Sequence, residues 1–202
     1  MGKIIKDAFA LLMITLVAGI LLGAVRDITK DPIARQEKLT EDNSCKEVFA
    51  DAEFEDVEDE VLLAEAQAAM AQEGFEVQTL VKVKKAVDAG GNLLGYVLNI
   101  VDPEGYGGDI SFMMGVKLDG TLNGISILSI SETAGLGMNA DTDAFKGQFK
   151  DKQVETFTYT KTGSSADSEI DALSGATITT NAMVNGVNAG LSAFRYLAGQ
   201  EG

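Results

Sequence analysis

Eighteen consecutive residues without a charge, Ala8 to Val25 (AFALLMITLVAGILLGAV), constrain this chain more than any other stretch. As a helix they extend about 27 Å, against a bilayer hydrocarbon core of about 30 Å. Lys3 and Lys6 precede the run and Arg26 and Lys30 follow it, so long basic side chains can reach the headgroups at both ends. A cleaved signal peptide shares the charged start and the apolar core. Here, however, the apolar run is longer than a usual h-region and leads into LLGAVRDITKD, which lacks a small-x-small cleavage site. An uncleaved, single-pass membrane anchor is the expectation. Its orientation does not follow from charge counting, because Lys3 and Lys6 lie before the span while Arg26, Lys30, Arg35 and Lys38 lie after it.

The remainder of the 202 residues, in a chain that is 46% hydrophobic, suffices for one domain with a proper core. A formal net charge of -15 and the absence of histidine argue against nucleic acid as a partner and remove the commonest metal ligand and proton shuttle. DNA binding and zinc hydrolase chemistry are excluded on that basis, and no metal site is expected. A single cysteine, Cys45, excludes an internal disulfide, an iron-sulfur cluster held within the chain, and a CxxC haem or redox motif. If the chain moves electrons, its carrier has to be organic. The stretch Glu41 to Glu60 holds ten acids against one lysine, Lys46, and lacks the spacing and central glycine of an EF-hand, so it reads as a solvated acidic segment.

The pattern divides into an anchor and its extension (1–40), an acidic linker (41–56) and a domain (57–202). Residues 26–45 read as a polar continuation of the anchor helix, interrupted around Pro32. A helix is predicted from Val57 to Glu73, with acids in its first turn and Gly74 at its stop. Two hairpins follow, Val77 to Val87 with Leu93 to Val101, and Ile110 to Leu118 with Leu122 to Ile130. The next long helical pattern begins near Thr180. The fold class is therefore α+β, with an N-terminal transmembrane helix, a mainly antiparallel sheet and flanking helices. Eleven of the 22 glycines fall between Gly105 and Gly175, notably in GYGGD and ETAGLG, where the backbone passes close to something flat or bulky or simply turns tightly.

The segment DALSGATITT, Asp171 to Thr180, leads directly into that last helix. Free N–H groups and the positive end of a helix dipole favour a phosphate at such a place. Gly175 and Ala176 keep side-chain bulk away from it, and Ser174, Thr177, Thr179 and Thr180 supply hydroxyls. Ser and Thr are also ordinary helix caps, so residue chemistry alone leaves a phosphate cradle and a plain cap both open. A P-loop is excluded, since no GK[ST] follows the glycine.

The string Asp171, Ala172, Leu173, Ser174, Gly175, Ala176, Thr177 matches in full the D-x-x-[ST]-G-A-T flavinylation motif of the FMN-binding domain family. The chain as a whole resembles the G subunits of the Rnf complex, the ion-translocating ferredoxin:NAD oxidoreductase. Gly105 to Gly137 is similar to the strand-turn-strand core and E-T-P-G-L-G loop of that family, with Ala134 in place of the proline. The resemblance implies FMN transferred from FAD to Thr177 by a flavin transferase, forming a phosphoester. It implies Ser174, Gly175, Ala176 and Thr180 around the phosphate, and Glu132, Thr133, Gly135 and Leu136 near the isoalloxazine or ribityl chain. Asp171 is awkward beside a phosphate dianion and is assigned to transferase recognition. Met113, Met114 and Met138 are ring contacts or, more in keeping with methionine, core filling. Tyr106 is a candidate for stacking on the flavin.

The implied activity is electron transfer as a redox subunit of a membrane complex, without a catalytic residue or substrate turnover of its own. The implied partners are other subunits, including integral membrane ones, with the transferase during maturation and the lipid bilayer. The implied location is the cell membrane with the flavin domain on the extracytoplasmic side. Alternatives are the C subunit of a sodium-pumping NADH:quinone oxidoreductase, which is usually longer, a non-redox assembly subunit whose SGAT only caps a helix, and a soluble extracytoplasmic flavin reductase.

Overall fold

The computed structural model describes residues 2–200. Helix α1 runs Gly2–Val48 and is not interrupted at Pro32. A proline inside a helix removes one backbone bond, here the one that the Ile28 carbonyl would accept. Both residues lie on an exposed stretch where solvent can take that acceptor. Among the described residues α1 is the only helix long and apolar enough to cross a bilayer, and the chain up to Thr40 forms a unit separate from the compact unit Glu41–Gly202.

Within the compact unit, β1 (Glu53–Asp56), β2 (Thr79–Val87), β3 (Leu93–Asp102), β4 (Ile110–Lys117) and β5 (Leu122–Ser129) form one antiparallel meander in sequence order. Helix α2 (Glu60–Gln72) enters after β1, and α3 (Asp143–Lys146) sits between two 3₁₀ turns. Strands β6 (Thr158–Thr160) and β7 (Glu169–Asp171) make a small parallel pair, and α4 (Thr177–Gly199) ends the fold. The α+β architecture and both hairpins are as the sequence predicts. The parallel pair and the short helices are too brief to leave a periodic signal.

Successive residues of the central strands point to opposite faces, and both faces are covered. Leu98, Ile100, Phe112 and Met114 join the core under α2 and α4, whereas Val97 and Met113 pack with Cys45, Val48 and Phe49. Met113 and Met114 are thus core residues on opposite faces. Burial raises the Cys45 thiol to about 11, which leaves it an unreactive hydrophobe. Helix α4 closes on the sheet through two glycines: a Cβ at Gly186 would stand 2.9 Å from the Phe112 ring, and one at Gly190 would collide with Met114 Sδ.

The acidic stretch 41–56 is folded. Its first residues are the last turns of α1, and β1 pairs with β2. Its charge is answered from β2: Lys84 Nζ lies 2.7 Å from Glu41 and 2.9 Å from Asp56, with Lys82 at 2.9 and 3.3 Å. The run of acids in the sequence hides this, because its partners lie 26 to 43 residues away. Helix α2 likewise starts later than predicted. Asp59 caps it, accepting from Val61 N and Leu62 N at 3.0 and 3.1 Å, while the Val57 N–H bonds to the Val83 carbonyl beside the sheet.

The charge network fixes a pH dependence. Burial pushes the Glu41 carboxyl up, but hydrogen bonds from Lys84 and Lys82 outweigh it and leave the group below its usual range; Asp56 is lowered chiefly by Lys84. Carboxyls depressed in the folded state stabilise it above their unfolded pKa, about 4. That contribution is lost as pH falls through the folded values. Thermal melts between pH 7 and pH 3 are expected to show a steeper loss of stability for the native chain than for Lys84→Met, and equal slopes would refute the coupling.

Candidate functional site

The motif loops that lie far apart in sequence meet at the N-terminal end of α4. Gly175 adopts φ +74°, in the left-handed region that favours glycine, and turns the chain so that Thr177 becomes the first helical residue. The helix therefore begins three residues earlier than its hydrophobic periodicity shows. Ala176 occupies the cap position and no side chain caps it, so the first N–H groups of α4 are not answered by a capping side chain.

Opposite this end stands the loop Glu132–Gly137. Leu136 N and Met138 N both donate to the Thr133 carbonyl, at 3.1 and 3.2 Å, and Asn139 Nδ2 donates to the Gly135 carbonyl at 3.2 Å. These bonds hold the loop in shape around Ala134. A Cβ on Gly175 would stand 3.1 Å from Leu136 Cδ2, which shows how closely the two loops approach. A third piece, the Gly105–Gly108 turn, packs on the same loop, since a Cβ on Gly107 would strike the Ser131 carbonyl. Six of the eleven glycines between Gly105 and Gly175, at positions 105, 107, 108, 135, 137 and 175, thus belong to three loops that pack on one another.

Together they line a cleft of about 490 Å³, a volume suited to a cofactor. Tyr106, Leu136 and Ile178 contribute exposed apolar surface, whereas Thr133, Thr177 and Thr179 contribute hydroxyls. Glu132 is its one charged lining residue. A second cleft of about 530 Å³, lined by Phe49, Leu94, Lys117 and Leu118 among others, contains no residue of either motif.

The turn bearing Tyr106 is anchored from behind. Asp102 accepts from Glu104 N at 2.7 Å and from Gln78 Nε2 at 2.8 Å, while Glu104 Oε2 accepts from Gln78 Nε2 and from Asn185 Nδ2 of α4, each at 2.9 Å. Burial raises the Asp102 carboxyl above its usual range, against these hydrogen bonds.

Of the residues singled out from sequence, Glu132, Thr133, Leu136, Gly175, Ala176, Thr177 and Tyr106 line the cleft. Thr180 does not: its hydroxyl is buried, donates to the Ala176 carbonyl at 2.9 Å and accepts from Leu173 N at 3.0 Å. It shapes the turn instead of facing a ligand. Ser174 is exposed on that turn and Gly135 on its own loop, and neither is a lining residue. Met138 is half-buried and likewise outside the lining. Asp171, at the end of β7, accepts from Ser164 N and has its backbone paired with the Gln148 side chain. Thr179, one of the four hydroxyls at the helix start, also lines the cleft, and sequence reasoning missed Ile178. The signal available was Ile178, apolar yet off the buried face of α4.

Residues 105–192 match the FMN-binding domain family. The G subunit of the ion-translocating oxidoreductase complex of Methanosarcina acetivorans is 32% identical over 99% of this chain and 97% of its own length. The chain belongs to this family of G subunits. Its counterpart in the proton-translocating ferredoxin:NAD(+) oxidoreductase complex of Clostridium ljungdahlii is 42% identical, over 50% of this chain and 54% of that protein. The fold is shared with Shewanella oneidensis NqrC, at a TM-score of 0.50 and 22% identity over 59% of each chain. The FMN-binding match contains every residue lining the cleft at the start of α4.

The cleft fits the flavin on its own terms. An uncapped helix start suits a phosphate, exposed apolar side chains suit a flat ring, and a buried carboxylate oxygen of Glu132 without a partner suits a ligand N–H or O–H.

Proposed function

We propose that this member of the G-subunit family carries electrons within a membrane-bound ion-translocating ferredoxin:NAD oxidoreductase, on an FMN joined by a phosphoester to Thr177. The observation that carries the reading is the position of Thr177: first residue of α4, at an uncapped helix start, in the wall of a cleft closed by the Glu132–Gly137 loop. Its hydroxyl does not cap the helix, which removes the main argument for an ordinary structural threonine.

A covalent bond also answers a shortage of charge. Among the described residues no lysine or arginine lines the cleft, so a free FMN phosphate has only uncharged donors, threonine hydroxyls and backbone N–H groups, to hold it. Attachment makes affinity irrelevant and reduces the phosphate from two negative charges to one. In the transfer, Thr177 Oγ1 forms a bond to the FMN phosphorus of FAD, the pyrophosphate P–O bond breaks, and AMP leaves with the balance made by the hydroxyl proton. FMN supplies one- and two-electron redox chemistry. The residues of this chain bind and orient it: Tyr106, Leu136 and Ile178 offer apolar surface, Thr133 and Glu132 offer polar atoms, and Gly175 and Ala176 keep side chains clear of the phosphate.

The partners in this reading are the other subunits of the complex, integral membrane ones among them, together with the lipid around α1 and a flavin transferase during maturation. The chain serves as a redox subunit of the oxidoreductase and does not turn over a substrate alone. The flavin domain lies on the extracytoplasmic side, where lost FMN is not replaced and a tether is useful. Asp171 and the exposed Ser174 belong to the surface offered to the transferase.

Intact mass of the chain made together with its flavin transferase, followed by mass of its tryptic peptides, is the test. One added FMN on the peptide containing Thr177 is expected. A chain weighing only its amino acids would end the proposal. Protease applied to intact cells should remove the domain, and protection would reverse the orientation.

A further inference from the structure

Glu132 is 9% exposed, and its Oε1 is buried without a hydrogen-bond partner. Two glycines make room for the carboxylate. A Cβ at Gly105 would lie 3.0 Å from Oε1, and one at Gly137 would lie 2.6 Å from Oε2. A buried carboxylate oxygen left unpaired destabilises the chain that holds it, so its persistence points to a partner that arrives with a ligand. Charge gives the group a second effect. It is the one carboxylate in the cleft lining, and among the described residues no lysine or arginine stands there to offset it.

Resting on the reading that the cleft takes the flavin ring, we propose that Glu132 sets which redox form of the flavin the site prefers: its carboxylate accepts a hydrogen bond from an N–H of the ring and opposes the negative charge that the ring acquires on reduction. A flavin that takes two electrons from its donor and one proton from solvent gains one net negative charge. Bringing that charge beside a buried carboxylate is unfavourable, whereas the oxidised, neutral ring meets only the hydrogen bond. The site thereby holds its carrier at low potential. Glu132 acts here as a specificity-determining residue, and Glu132→Gln keeps shape while removing charge.

The full-length chain in detergent, made with its flavin transferase, is titrated anaerobically to obtain the midpoint potential of the bound flavin. Glu132→Gln is expected to raise it by at least about 30 mV, a tenfold change in relative affinity for a two-electron couple. Glu132→Asp retains the charge and is expected to stay nearer the native value than the glutamine variant does. In parallel, equilibrium dialysis measures riboflavin binding to chain made without the transferase, with the ligand oxidised or reduced by dithionite. The native chain should bind the oxidised form more tightly, and Glu132→Gln should narrow that preference at least tenfold. An unchanged potential in Glu132→Gln, or equal binding of the two forms by the native chain, overturns the proposal. The second result needs no variant to fold. If the native chain carries no FMN by mass, the attachment at Thr177 is what fails, and dialysis alone decides on Glu132; absence of riboflavin binding there counts against it.

Discussion

Thr177→Ala is expected to give a chain that folds and reaches the membrane yet shows no flavin fluorescence in a denaturing gel, against a bright band for the native chain made in the same cells. The loss should be complete, because a phosphoester needs that one oxygen. Folding should survive, because Thr177 is the first residue of α4 and alanine is at least as good a helix former there. The helix start is organised by Gly175 and by the two hydrogen bonds of Thr180. Thr180→Ala makes the contrast: it leaves the attachment oxygen in place and disturbs the turn, so the flavin yield should fall without vanishing. A fluorescent Thr177→Ala band would place the bond on another residue.

The largest effect on stability is expected at Asn188. Its buried side chain accepts from Phe157 N at 2.7 Å and donates to the Phe157 carbonyl at 2.9 Å, clamping the segment before β6 onto α4. Alanine would leave two buried backbone groups without partners. At about 1–3 kcal/mol for each, Asn188→Ala should cost about 2–6 kcal/mol. For a chain of this size that lowers the melting temperature by roughly 4–24 °C. Ser192, one turn further along the same helix, is the control, since its hydroxyl is buried with no partner. Removing it as Ser192→Ala should be neutral or stabilise by up to about 1 kcal/mol. Equal losses at the two positions would show that side-chain volume, and not hydrogen bonding, decides stability on this face.

Much of this molecule is legible in its sequence, for reasons that differ from element to element. Strands β2 to β5 are long, β-branched and separated by glycine turns, so local chemistry alone locates them. The SGAT segment is found by its match to a motif, and its place before a helix by hydrophobic periodicity. What periodicity misses is the first turn of α4, where Thr177, Ile178 and Thr179 break the pattern because Ile178 and Thr177 belong to the cleft and not to the core. Long-range pairings are missed for another reason. Nothing near Glu41 or Asp56 announces Lys82 and Lys84, and nothing near Asp171 announces Gln148. The assignment of Thr180 to the phosphate illustrates the limit of reading hydroxyls by adjacency. Three residues along a helix leave only about 60° between side chains, and it is the bonds to the Ala176 carbonyl and Leu173 N that hold the Thr180 hydroxyl inward.

The glycines at positions 186 and 190 give α4 a mechanical property. They let the helix sit flush against Phe112 and Met114 in the middle of the sheet, and the burial of Thr179, Thr180, Ala182 and Met183 carries that packing forward to its leading end, which is held along its length. From Gly186 back to Thr177 is nine residues, about 13 Å of helix. Tunnelling rates fall steeply with separation, and under the attachment proposed at Thr177 a flavin held by this packed end would meet its redox partners across a gap that thermal motion of the surrounding loops scarcely alters.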